Sequence, residues 1–112
     1  VMIAGPSPYA VEIGKDVASR GGNAVDVAVA AALSLAVTHQ YFGSLGGGGF
    51  AVIKMGSKIE ALDFRETAPA AAHATFYAGK AANASITGPL AVAIPGLPAG
   101  LWELHRKHGK LH

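Results

Sequence analysis

Hydrophobic and polar positions divide the chain into a short succession of elements. In Tyr9 to Arg20, YAVEIGKDVASR, Tyr9, Ile13 and Val17 recur at helical spacing while Glu12, Lys15, Asp16 and Arg20 fall mostly elsewhere. That pattern predicts an amphipathic helix with Tyr9, Ile13 and Val17 facing inward. Gly21 and Gly22 end it, because glycine accepts the left-handed backbone at a helix C-terminus. Asn23 then caps a second helix, AVDVAVAAALSLAV, with Asp26 in the first turn, where a carboxylate suits the positive end of the dipole. Its sequence is apolar on every side, so it is expected to be buried all round, between the first helix and a sheet. Phe50 to Lys54 and Ile59 to Phe64 read as a hairpin turning at Met55 to Lys58. Leu90 to Gly96, LAVAIPG, reads as a further strand-like stretch ended by Pro95. A last helix starts near Pro98, a good first-turn residue, and runs to Gly109. Between these elements the Ala-, Gly- and Asn-rich stretch from Ala78 to Gly88 is the segment expected to be mobile. Helix pair, strands, then helix predicts an α+β class.

This inventory does not close on itself. One hairpin and one extra strand are marginal as a sheet, and the apolar helix needs more partners than 112 residues supply. Residues 1–112 are therefore read as one partial domain of a larger protein.

Composition then removes several classes of function. The net charge is only +2, and the nine Lys and Arg residues form no basic run, so nothing supports a nucleic-acid partner. There is no cysteine, which removes disulfides and thiolate metal sites. The longest apolar run, Val27 to Val37, is too short to span a bilayer as a helix.

Candidate chemistry is sparse. The glycines of GSLGGGGF, Gly43 to Phe50, are followed by a strand, whereas phosphate-binding glycine loops open a helix; a structural turn is the better reading. His105, His108 and His112 lie at a helix C-terminus among Arg106, Lys107 and Lys110, where a solvated basic end is expected ahead of a metal site. No Gly-x-Ser-x-Gly elbow is present, and no convincing nucleophile. The exception is LDFRETAPA, Leu62 to Ala70. Charged residues make up 14% of the protein, yet three of them fall within four positions here. Asp63 and Arg65 share a face of an extended segment, and Pro69 stops that segment from continuing as a central strand. Arg65 at such an exit could fork onto a carboxylate ligand, or form an internal ion pair with Asp63 or Glu66.

Four motifs in order, GGNAVDVAVAAALSLAV, LGGGGF, ALDFRETAPAAA and IPGLPAGLWELHRKHGKL, resemble the N-terminal part of the large subunit of the γ-glutamyltranspeptidase family. The likeness runs from Ala10 to Leu111. It implies an N-terminal-nucleophile hydrolase fold, a four-layer αββα sandwich that this chain holds only in part. It also implies a precursor that cleaves itself to give a small subunit, whose first residue, a threonine outside this chain, attacks the γ-glutamyl bond of glutathione and related amides. The γ-glutamyl enzyme is then discharged to water or to an amine. No metal or organic cofactor is implied, and the family points to a periplasmic or extracellular setting. The arginine of the family's Arg-Glu-x-Ala-Pro motif, which binds the substrate α-carboxylate, falls on Arg65, leaving Asp63 and Glu66 to hold the loop around it. SPYA and THQYFGSLG depart from the family's usual His-Pro and Glu-Pro-x-Ser-Ser-Gly stretches. Capsule depolymerases and cephalosporin acylases resemble the same family, and a non-catalytic scaffold is the remaining alternative.

Overall fold

The first helix, α1 (Pro8–Ser19), is found in a computed structural model that describes residues 1–112. Its end follows from the two glycines. Gly22 N–H reaches the Val17 carbonyl and Gly21 N–H the Ala18 carbonyl, with Gly21 at φ 88°, which is the paired arrangement of a Schellman cap. The buried face agrees with the predicted one only at Val17. Ala10, Gly14 and Val17 are buried, whereas Tyr9 and Ile13 stand 69% and 42% exposed. Small residues decide this: a Cβ on Gly14 would sit 3.2 Å from a Val27 methyl group, so α1 approaches the next helix more closely than the larger side chains allow.

α2 (Ala24–Thr38) starts in a complete capping box. The Asn23 side chain accepts from Val25 N–H and Asp26 N–H, and Asp26 accepts the Asn23 N–H at 2.8 Å. Of its fifteen residues only Val25, Asp26, Val27 and Ser34 are buried. Leu33 and Val37 face outward, so within this chain the helix is covered on part of its circumference, not all round.

The hairpin forms as the alternation predicts. β1 (Phe50–Met55) pairs antiparallel with β2 (Lys58–Asp63), Phe50 opposite Asp63 and Met55 opposite Lys58. Gly56, at φ 62°, supplies the positive φ that the two-residue turn requires. Ala51, Ile53 and Leu62 pack inward, while Phe50, Val52 and Ile59 leave the other face apolar and uncovered. The expected third strand is absent. Pro89–Ala91 is a short 3-10 turn, and only Ile94 pairs, in an isolated antiparallel bridge with Thr67. Pro89 and Pro95 bracket this stretch, and prolines cannot donate to a ladder.

α3 (Leu97–His108) closes the arrangement. Leu97, Leu101 and Leu104 join Val25 in the core, with Ala51, Ile53, Leu62 and Phe64 packed against them. α2 thus lies between α1 on one side and α3 with the hairpin on the other. The radius of gyration is 16.9 Å, against about 13 Å for a compact domain of this length. The α+β class holds, in an elongated and open form.

Candidate functional site

Phe64 is where the hairpin becomes the loop of interest. Its N–H and carbonyl pair with Gly49 at 3.0 and 3.2 Å, continuing the ladder by one residue. Three residues on, Thr67 pairs with Ile94. Between these two clamps, Arg65 and Glu66 run across a floor without side chains. A Cβ on Gly48 would sit 2.5 Å from the Phe64 carbonyl and 2.7 Å from Glu66 N, and one on Gly96 would meet the same segment. Gly100 leaves room for the Phe64 ring against α3. Gly47 adds a further tie, because its carbonyl accepts from both Gly96 N–H and Leu97 N–H, at 3.0 and 2.9 Å. The glycine run is therefore a close-packing device, as its context predicts. Its physical reason is proximity alone, since none of Gly46 to Gly49 has a positive φ.

That floor sets the arginine. Asp63 Oδ1 accepts the Arg65 backbone N–H at 2.9 Å, which bends the chain out of the strand. Glu66 Oε2, buried and without a hydrogen-bond partner, lies 3.3 Å from Arg65 Nε. The Phe50 ring centroid is 6.0 Å from the guanidinium carbon, at the limit of a cation–π contact. Both carboxylates of the cluster thus engage Arg65, Asp63 through the backbone and Glu66 through the side chain. The ion pair considered from sequence exists, and it uses the Nε edge of a guanidinium that remains 58% exposed. The remaining donors of the planar fork can serve a ligand.

Arg65, Glu66 and Thr67 open onto a cavity of about 710 Å³. Its far wall comes from the loop after Pro69, with His73, Phe76, Tyr77, Leu90 and Val92. His73 and Phe76 stack edge to face at 5.8 Å, Phe76 and Tyr77 at 5.0 Å, and the Tyr77 hydroxyl donates to the Leu90 carbonyl at 2.7 Å. Sequence reasoning passed over this wall, although three ring-bearing residues within five positions of an alanine-rich loop were the available signal. The following residues form successive turns, with Gly79 and Gly88 at positive φ.

The histidines take other places. His105 Nε2 lies 3.4 Å from Asp26 and His108 Nε2 3.3 Å from Glu60, so two of the three expected in a solvated basic end face separate carboxylates. The Lys58 ammonium on Glu60, assisted by His108, holds that carboxyl below its usual range. Asp26 has the more consequential environment. Burial pushes its carboxyl up, but the N–H groups of Asn23, Lys110 and Leu111, with the charge of His105, outweigh this and hold it below the ordinary 3.8.

Comparison with known proteins fits this geometry. The sequence profile of the family described as Gamma-glutamyltranspeptidase matches residues 10–112. A glutathione hydrolase proenzyme of Pseudomonas aeruginosa is 43% identical over 97% of this chain and 20% of its own length. Among solved structures, the gamma-glutamyltranspeptidase of Pseudomonas nitroreducens complexed with L-DON superposes with a TM-score of 0.93 at 43% identity, over 99% of this chain and 34% of that one. The Bacillus anthracis transpeptidase enzyme CapD is more distant, with a TM-score of 0.79 at 29% identity over 100% of this chain and 34% of that one. The chain spans about a fifth of the length of the curated relatives it matches and carries part of the N-terminal-nucleophile hydrolase fold. From the first helix to its last residue, the chain belongs to the γ-glutamyltranspeptidase family.

Proposed function

We propose that this chain is the large-subunit segment of a γ-glutamyl transferase or hydrolase, and that Arg65 anchors the α-carboxylate of the γ-glutamyl donor, glutathione or a related amide. The observation that carries this reading is the guanidinium itself. It is more than half exposed, lines a cavity of roughly 710 Å³ and is held from the Nε side by Glu66, which leaves its outer donors available to a ligand. A carboxylate fixed there extends its γ-amide away from the anchor. The attacking group would be a threonine of the small subunit cut from the same precursor, acting with its own α-amino group as base. Water or an amine would then take the γ-glutamyl group. The greater similarity to the glutathione hydrolase and gamma-glutamyltranspeptidase relatives than to CapD favours this reading over a capsule-processing one.

The deciding experiment is a double deletion in the full-length, self-processed protein. Donor turnover is measured for wild type and Arg65→Gln, each with a γ-glutamyl amide and with an analogue whose α-carboxylate is replaced by an uncharged group. Wild type should reject the analogue strongly and Arg65→Gln only weakly, because both deletions remove one interaction. If the two losses simply multiply, Arg65 belongs to the internal ion pair alone.

A further inference from the structure

The cavity beside Arg65 is larger than a γ-glutamyl group needs, and its two ends differ in chemistry. Arg65 and Glu66 make one end charged, while His73, Phe76, Tyr77 and Val92 make the other mostly apolar and aromatic. Small-molecule pockets divide labour in this way: a few polar groups orient the ligand, and apolar walls supply area and discrimination. The aromatic wall is built to keep its shape. Phe76 stands at the centre of two edge-to-face contacts, one with His73 and one with Tyr77. The Tyr77 hydroxyl ties that array across the loop to the Leu90 carbonyl. Lys80 Nζ lies 5.3 Å from the Phe76 ring centroid, a cation–π distance. Such stacks hold rings in defined positions at little entropic cost, since each ring has only two side-chain torsions.

In a γ-glutamyl amide, two methylene groups separate the α-carbon from the γ-carbonyl, and the substituent on the amide nitrogen lies beyond that. With the α-carboxylate on Arg65, this substituent is the part of the donor left to occupy the apolar end. We propose that His73, Phe76 and Tyr77 form a selectivity wall for the leaving amine of the donor, favouring γ-glutamyl amides whose nitrogen carries an aromatic or bulky apolar group. This rests on the reading of Arg65 as the carboxylate anchor.

The test compares γ-glutamyl benzylamide with γ-glutamyl methylamide, two alkylamides that differ chiefly in apolar bulk, as donors for the full-length, self-processed protein. Wild type should prefer the benzylamide in kcat/KM, and Phe76→Ala should reduce that preference roughly tenfold by lowering benzylamide turnover while leaving methylamide turnover nearly unchanged. His73→Ala, at an exposed position of the same wall, should reduce it in the same direction and serves as the readout if Phe76→Ala does not mature. Arg65→Gln should depress both donors and leave their ratio intact. No benzylamide preference in wild type, a preference unaltered in the wall variants, or equal losses for both donors overturns the selectivity wall and leaves the anchor standing. Failure of wild type to turn over either amide overturns the wall together with the reading on which it rests.

Discussion

Lys110 donates its backbone N–H to both carboxylate oxygens of Asp26, at 3.0 Å each, across 84 positions of sequence. The same carboxylate accepts from Asn23 N–H and Leu111 N–H, while the Asn23 side-chain amide donates to the His108 carbonyl at 2.6 Å. One capping box therefore serves two helices: it starts α2 and fastens the chain that leaves α3.

Asp26→Ala in the full-length protein would strand three N–H donors around a buried, vacated position. The expected loss is about 3 kcal/mol or more of stability, read as a lower denaturation midpoint at neutral pH. The pH dependence has a definite sign. The folded carboxyl titrates below its unfolded value of 3.8, so its contribution is complete above that value and disappears as pH falls through the lower, folded one. The stability gap between wild type and the variant should accordingly narrow in acid below 3.8 and stay at its full size above it.

Gly48 and Gly47 are neighbours with different tolerances. A Cβ on Gly48 meets the backbone of Phe64, Arg65 and Glu66 at 2.5–2.8 Å, whereas one on Gly47 finds its nearest atom, the Ser44 carbonyl oxygen, at 3.3 Å. Gly48→Ala should lower both thermal stability and the yield of self-cleaved protein, and Gly47→Ala should do so much less. Comparable behaviour of the two would mean that the run does not pack as described.

Arg65→Lys keeps the charge and loses the planar fork. Hydrogen bonds to charged groups contribute on the order of 1.5–3 kcal/mol, so kcat/KM for a γ-glutamyl amide should fall by roughly ten- to over a hundredfold. Self-cleavage, followed by gel electrophoresis, should continue, because Asp63 holds the loop through the Arg65 backbone N–H, which the substitution leaves in place.

The 112-residue segment by itself should associate or aggregate. Only 12 of 112 residues are buried, and Phe50, Val52 and Ile59 leave one face of the hairpin apolar and open to solvent. Sedimentation of the isolated segment should show assemblies larger than a monomer; a monomer with one cooperative unfolding transition would contradict this.

Local signals carried most of the fold. Gly21 with Gly22, Asn23 with Asp26, and the alternation of Ala51 with Ile53 each state their own geometry, because caps and strand faces depend on near neighbours. Long-range relations were less legible. Nothing beside Asp26 indicates that its carboxylate will also collect Lys110 and Leu111, and the Tyr9 stripe obscured the small-residue face that α1 buries. At the site, the charge cluster around Arg65 was visible from its density. The aromatic wall was hidden because Tyr77 depends on the Leu90 carbonyl, thirteen residues away in a loop without periodicity.

The double acceptance at the Gly47 carbonyl bears on where negative charge can be held. Gly96 and Leu97, whose N–H groups it takes, stand at the N-terminus of α3, the end of a helix that ordinarily attracts anions through free N–H groups and the macrodipole. With a backbone oxygen already seated there, and with Gly47 N–H and Gly49 N–H turned to the Ser44 and Phe64 carbonyls, that donor cradle is taken up within the protein. On the proposed reading, electrostatic recognition on this face falls to a side chain, with the guanidinium two residues past the hairpin as the counter-charge a carboxylate would meet.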